Sequence, residues 1–231
     1  MIGILLVHEL GHFFACRYYG IDSSYPYFLP APTLIGTFGA FIRIRSPILN
    51  RKALFDVGIS GPVAGFVLAL PILAAGIYFS KVVPGAQKDA LIIFGNPPLM
   101  KFLIALFHPG VPAGNLLLNP VALAAWVGLF ATALNLLPIG QLDGGHIIYS
   151  LSSEKHRRIS QVTGIALFVM AIFFWHGWIA FALLVFFLGY RHPPLLDSWT
   201  PLDRTRRAWA IIALIIFLLC FTPMPLSNPP M

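Results

Sequence analysis

Charged residues are scarce in this sequence: Asp, Glu, Lys and Arg together make up 10% of its 231 residues, whereas hydrophobic residues make up 58%. Such a composition excludes an ordinary soluble domain and is typical of a polytopic membrane protein. Cysteine is scarce as well, and both cysteines, Cys16 and Cys220, fall at or inside apolar segments. A disulfide framework is therefore not expected.

Acidic residues are few, with 8 against 15 basic ones, and the net charge is +7. The basic residues lie in short segments between apolar runs, so membrane orientation explains them better than a nucleic-acid partner does. Twelve of the fifteen fall on the side where the first, third and fifth spans end, which predicts that this side faces the cytoplasm. The twelve are Arg17, Arg43, Arg45, Arg51, Lys52, Lys155, Arg157, Arg158, Arg191, Arg204, Arg206 and Arg207, and the other three are Lys81, Lys88 and Lys101.

The apolar runs predict an all-α polytopic membrane protein with about six transmembrane helices. The runs are long enough, or nearly so, to cross the hydrocarbon core as helices. The predicted spans are residues 1–19, 55–79, 119–151, 162–174, 178–190 and 208–222.

The segment between the first two spans differs from the rest because it lacks helical character. Pro26, Pro30 and Pro32 break any helix there. Residues 37–45 then alternate in polarity, with Gly39 permitting a bend, which predicts a small β-hairpin or re-entrant loop at 33–46. Its apolar content indicates that it enters the bilayer, where irregular backbone is tolerated only against protein or a wet cavity. Its free edge is suited to pairing with an extended peptide.

His8, Glu9 and His12 lie within the otherwise apolar first span. Residues four apart on a helix share a face, so both imidazoles can bind one metal ion, and Glu9 can reach a water on that metal. Ionisable groups inside a membrane span are costly and usually functional, which argues against a chance match of a short motif. Two neutral imidazoles with a carboxylate as third ligand suit zinc, which keeps its fourth position open.

A second polar centre lies in the third span, at residues 135–146. Pro138 and Gly140 must interrupt the helix there, and Asp143 follows the interruption. A lone buried aspartate is expensive unless it is paired or binds a metal, so Asp143 is the natural third ligand. His12 and Asp143 also fall at matching depths, in the cytoplasmic halves of their spans.

These residues resemble the site-2 protease family of intramembrane zinc metalloproteases. The resemblance covers about residues 1–151 and rests on two motifs together with Gly61-Pro62. The motifs are His8-Glu9-Leu10-Gly11-His12, and Asn135-Leu136-Leu137-Pro138 running into Leu142-Asp143-Gly144-Gly145. The resemblance implies that 1–151 form the catalytic core, with three spans and the hairpin, and that 152–231 form C-terminal transmembrane helices with a Pro-rich tail.

The resemblance also implies a function and roles for individual residues. The chain is expected to be a zinc endopeptidase with one Zn²⁺ per chain, which cleaves a transmembrane helix of a membrane-protein substrate. His8, His12 and Asp143 map onto the zinc ligands and Glu9 onto the catalytic glutamate. Asn135 and Pro138 map onto a motif that handles substrate.

Other roles come from the residues themselves. Gly39, Phe41 and Ile42 are the candidates for holding an extended substrate. His146 and Asn135 are alternative oxyanion donors, although His146 is better explained as a pore-lining residue or as one that orients a metal ligand. His156, His176 and His192 fall at predicted loops or turns, where interfacial positions are expected. A metal transporter and a catalytically inactive membrane scaffold remain the alternative functions.

Overall fold

The computed structural model describes residues 1–30, 37–86, 92–188, 192–197 and 199–227. Within these ranges the chain is mostly helical, as predicted, with short strands between helices. The helices are α1 (Ile2–Tyr18), α2 (Arg51–Tyr78), α3 (Pro98–Phe107), α4 (Pro120–Asn135), α5 (Asp143–Leu151), α6 (Ser153–Phe173), α7 (Trp178–Leu188) and α8 (Arg204–Cys220). The strands are β1 (Tyr27–Pro30), β2 (Thr37–Phe41), β3 (Lys81–Val82), β4 (Ile93–Phe94), β5 (Leu116–Leu117) and β6 (Leu226–Ser227).

Helix α2 is the centre of the fold, because α1, α4, α5 and α8 all pack against it. Its 28 residues correspond to about 42 Å of helix, more than the hydrocarbon core requires. Within the described ranges it alone is both long and apolar enough to cross a membrane, and α3 and α4 are apolar but shorter. The helical class is therefore confirmed, and the number of about six spans stays a prediction.

Polar capping residues, rather than the start of an apolar run, decide where the long helices begin. The side chains of Asn50, Asn119 and Asp203 accept hydrogen bonds from the first turns of α2, α4 and α8. As a result α2 starts at Arg51 and α8 at Arg204, each four residues before the predicted span. Helix α6 likewise runs through the basic segment that precedes its apolar run.

Strands β1 and β2 pair antiparallel, with Tyr27 opposite Phe41 and Leu29 opposite Gly39. The range predicted for the hairpin, 33–46, contains β2 but not its partner, which comes earlier in the chain. The partner strand, β1, ends in Pro30, which is allowed there because an edge strand tolerates proline. Residues 31–36, between the strands, lie outside the described residues.

The predicted alternation beyond β2 is confirmed by burial. Ile42 and Ile44 pack against a small buried cluster formed with α1 and α2, whereas Phe41 remains 41% exposed. The segment after β2 therefore presents one apolar side to α1, which carries the histidine motif, and to α2.

The third predicted span consists of two helices, α4 and α5, separated by residues 136–142. Gly140 adopts a left-handed conformation with φ of +52°, which a residue with a side chain rarely adopts. Helix α6 supports the break, because Ser160 Oγ accepts from the Gly140 N–H at 3.2 Å and His156 Nε2 donates to the Gly140 carbonyl at 3.0 Å. The interruption predicted at Pro138 and Gly140 is confirmed.

Candidate metal centre

The side chains of His8, His12 and Asp143 meet where α1 faces the start of α5. One carboxylate oxygen of Asp143, Oδ2, lies 3.1 Å from Nε2 of His8 and 3.3 Å from Nε2 of His12. Both imidazoles are buried. Donors at 2.0–2.1 Å from a tetrahedral zinc ion lie about 3.3 Å from one another. The number and chemistry of these donors therefore fit zinc, and so do the two distances from Asp143 Oδ2 to the imidazole nitrogens.

The protein orients the two imidazoles through further contacts. Nδ1 of His12 donates to the carbonyl of Val57 at 2.7 Å. Since Nδ1 then carries the proton, Nε2 of neutral His12 is left as a lone pair facing Asp143, as a metal ligand requires. The amide Nδ2 of Asn135 lies 3.2 Å from Nε2 of His8. Asn135 is thus placed at the metal-facing side of that imidazole.

Glu9 shares the pocket but occupies a different position in it. Its carboxylate is 8% exposed, and its oxygen and the nitrogens of His8 and His12 lie within 4.8 Å of one another. These three residues could themselves hold a metal, but Asp143 Oδ2 is the oxygen that reaches both Nε2 atoms. The backbone of Ile42 lies beside the Glu9 carboxylate. In this arrangement Asp143 lies between the two imidazoles and Glu9 lies beside the three of them.

Glycines bring α1 and α2 into direct contact beneath the imidazoles. A Cβ atom built on Gly61 would lie 2.1 Å from Nε2 of His12, and one on Gly11 would lie 2.5 Å from the Ser60 carbonyl oxygen. A Cβ on Gly65 would come within 3.2 Å of His8. The sequence analysis missed this role, because glycine spacing predicts close packing of helices but not which side chain the glycine faces.

The remaining predicted residues divide into two groups. Asn135 and Ile42 join the cluster through the contacts just described. Phe41 and Gly39 lie within the two-stranded sheet. Pro138 lies in the α4–α5 break, where its carbonyl is 3.5 Å from Ser160 Oγ, and it also borders an open apolar groove between α5 and α8.

His146 belongs to a cluster of rings that the sequence analysis did not predict. Its Nδ1 lies 2.8 Å from Nε2 of His192, and the His192 ring stacks on Tyr149 with 4.2 Å between centroids. His156 contacts both Tyr149 and His192 edge-on, and it is 2% exposed. His156 therefore lies on helix α6 and is buried there, not in the predicted loop or turn. Neither periodicity nor a motif links residues so far apart in the sequence.

Comparison with known proteins now identifies the family. A family model described as "Peptidase family M50" matches residues 1–177. The chain belongs to peptidase family M50. This assignment confirms the predicted resemblance to site-2 proteases.

Among curated relatives of this M50 chain, the probable chloroplastic zinc metalloprotease EGY1 of Arabidopsis thaliana is 32% identical over 97% of the chain and 42% of its own length. The probable zinc metalloprotease EGY2 of Oryza sativa subsp. indica is 33% identical over 98% of the chain and 42% of its own length. The probable zinc metallopeptidase EGY3 of Arabidopsis thaliana is 30% identical over 95% and 41%. The M50 chain thus spans about two fifths of the relatives it matches. No solved structure matches it.

Proposed function

We propose that this chain is the catalytic core of a zinc endopeptidase that hydrolyses peptide bonds within or near transmembrane segments of other membrane proteins. The observation that carries the proposal is the approach of Asp143 Oδ2 to Nε2 of both His8 and His12, at 3.1 and 3.3 Å, with Glu9 buried beside them. An inactive scaffold would be expected to lack one of these four groups. A metal transporter would be expected to place polar groups along a whole path, whereas here they gather at one depth.

In this proposal His8, His12 and Asp143 hold one zinc ion. When bound, zinc polarises the scissile carbonyl and lowers the pKa of water. Glu9 removes the proton from the attacking water and returns it to the leaving amine. The backbone of Ile42 lies beside the Glu9 carboxylate, and the Asn135 amide is a donor for the oxygen that becomes negative in the transition state.

The substrate must unwind locally, because the peptide bonds of a transmembrane helix are hydrogen-bonded within the helix. We propose that the edge of β2 facing away from β1 pairs with the unwound segment. N–H directions alternate along a strand, so the N–H of Ala40 points to the same side as that of Ile42. The backbone of Ile42 lies beside Glu9, and therefore Ala40→Pro is the cleaner test of substrate pairing, whereas Ile42→Pro also disturbs the surroundings of Glu9.

The proposal extends to domains and topology. Residues 1–151 act as the catalytic core and 152–231 as C-terminal membrane helices, giving a multi-pass protein of about six spans with the sheet inside the bilayer. The active site lies in the cytoplasmic half, nearer the basic side. In sealed vesicles, cysteines introduced at the exposed Lys155 and Lys81 should be labelled from opposite sides, with buried Cys16 and Cys220 silent. Labelling of both from one side would overturn this topology.

The decisive experiment compares the intact protein with Glu9→Gln on a panel of single-span membrane proteins. Glutamine keeps the size of the side chain but cannot take up a proton. We expect cleavage by the intact protein alone and about one zinc per chain in both. Equal cleavage by both proteins would remove Glu9 from the mechanism. Metal movement across vesicles without cleavage would favour the transporter.

A further inference from the structure

His192 and His146 form a short hydrogen-bonded relay beside the metal centre. Nδ1 of His192 lies 2.7 Å from the carbonyl oxygen of Pro193, and Nε2 of His192 lies 2.8 Å from Nδ1 of His146. The His192 ring is held against Tyr149, with an interplanar angle of 23°. The relay therefore connects a loop residue to helix α5.

The contacts determine where the protons lie. A carbonyl oxygen only accepts, so Nδ1 of His192 carries a proton. Burial lowers the pKa of His192, which keeps the ring neutral and its Nε2 an acceptor. Nδ1 of His146 must then donate to that acceptor, and Nε2 of neutral His146 is left unprotonated.

His146 lies near the candidate metal centre. His146 follows Asp143 by three residues on α5, so the two side chains share a helix face. A Cβ on Gly58 of α2 would lie 2.9 Å from Cβ of His146. Asp143 lies close enough for its charge to act on the His146 ring, and His12 is a further neighbour of that ring. No donor in the described part of the chain forms a hydrogen bond with its Nε2.

We propose that His192 is a positioning residue that keeps Nε2 of His146 unprotonated, so that His146 accepts a hydrogen bond from a backbone N–H of the unwound substrate. The inference rests on the proposed protease function. Unwinding leaves substrate N–H groups without partners in apolar surroundings, where each needs an acceptor. Neutral His146 in this tautomer cannot donate from Nε2, so it does not serve as the oxyanion donor.

Two variants of His192 separate the hydrogen bond from the packing. His192→Phe keeps a ring to stack on Tyr149 but offers His146 no acceptor. His192→Gln loses the ring but can place an amide oxygen near the position of Nε2. We expect His192→Phe to raise KM roughly three- to tenfold, the equivalent of one hydrogen bond, with kcat and zinc content close to those of the intact protein. His192→Gln should resemble the intact protein in KM, kcat and zinc content.

Side-chain ¹⁵N NMR gives a readout independent of cleavage. The His146 signals, assigned by their loss in His146→Ala, should move towards the Nε2-protonated tautomer in His192→Phe and stay in place in His192→Gln. Unchanged His146 signals in His192→Phe, or equal KM values in the two His192 variants, would overturn the proposal. Absence of cleavage by the intact protein would count against the proposed function alone, because the tautomer comparison still decides the role of His192.

Discussion

The two halves of the candidate metal centre come from unlike stretches of backbone. His8 and His12 stand on α1, an uninterrupted helix, whereas Asn135 and Asp143 lie on either side of the break between α4 and α5. The spacing of the histidines follows from local helix geometry alone. The position of Asp143 depends on contacts that α6 makes with the break, at Gly140. The spacing of the histidines is therefore set by their own helix, although α2 orients the imidazoles, whereas the position of Asp143 is set by distant parts of the chain.

The largest expected effect is loss of zinc when a ligand residue is substituted in either half of the candidate metal centre. His8→Ala and Asp143→Ala should each lower zinc from about one per chain to a small fraction, because two donors do not make a closed set for zinc. Metal analysis of the purified variants measures this. Asp22→Ala is the control, since it keeps the backbone contacts of Asp22 and removes a side chain whose contact is a 3.9 Å ion pair with Arg45, in which both side chains are about 60% exposed. Full zinc retention in both ligand variants would contradict the assignment.

A methyl group added to α2 where it faces the two histidines should be nearly as damaging. Gly61→Ala would put Cβ 2.1 Å from Nε2 of His12, so the backbone or the imidazole must shift, and we expect zinc loss with a lower Tm. Gly3→Ala is the matched control within α1, because a Cβ there meets nothing within 4 Å. It should leave zinc unchanged and stabilise the helix by at most about 1 kcal/mol. Similar zinc contents in the two variants would exclude the close contact.

We expect an intermediate effect on zinc affinity when α6 loses its hydrogen bond to the break between α4 and α5. Ser160 is fully buried, and Ser160→Ala would leave the Gly140 N–H without its partner, at a cost of about 1–3 kcal/mol. Because the break positions Asp143, zinc affinity should fall roughly 10–100-fold. Thr163→Ala removes a hydroxyl that bonds within α6, to the Ile159 carbonyl, and should change zinc affinity little. If the two variants weaken zinc equally, the break does not depend on Ser160.

The smallest effect on zinc binding is expected for substitutions outside both halves of the candidate metal centre. Arg206 of α8 binds both carboxylate oxygens of Asp56, at 2.9 and 2.6 Å, and also the Tyr19 hydroxyl. Arg206→Lys loses this fork and should destabilise the protein by about 1–2 kcal/mol without changing zinc content. Arg45→Lys, in the exposed pair with Asp22, should have no measurable effect on Tm. Zinc loss in Arg206→Lys would mean that α8 supports the metal centre directly.

Sequence reasoning succeeded where a short-range rule applies. The histidine pair follows from helix periodicity, and the break follows from Pro138 and Gly140. Asp143 could be singled out because a buried carboxylate needs a partner. Each of these inferences uses only neighbours in the chain or the cost of burying a charge.

Sequence reasoning failed where the structure depends on how two segments distant in the chain pack together. The partner of β2 is β1, which alternation in 37–45 does not indicate. The role of Gly61 depends on the rotational setting of α2 against α1. The pairing of His146 with His192 brings a loop onto α5 from 46 residues away. Register, helix rotation and loop docking are tertiary quantities with no periodic signal in the sequence.

The glycine contacts between α1 and α2 also limit how this protein can open. A side chain between two helices can change rotamer and absorb a small shift, but at Gly11 and Gly61 backbone and imidazole touch with nothing between them. Separating these helices would therefore carry His12 away from Asp143. If the chain is the proposed protease, we expect its substrate to enter by movement of the sheet, or of α7 and α8, because moving α5 would likewise carry Asp143 away from the two histidines.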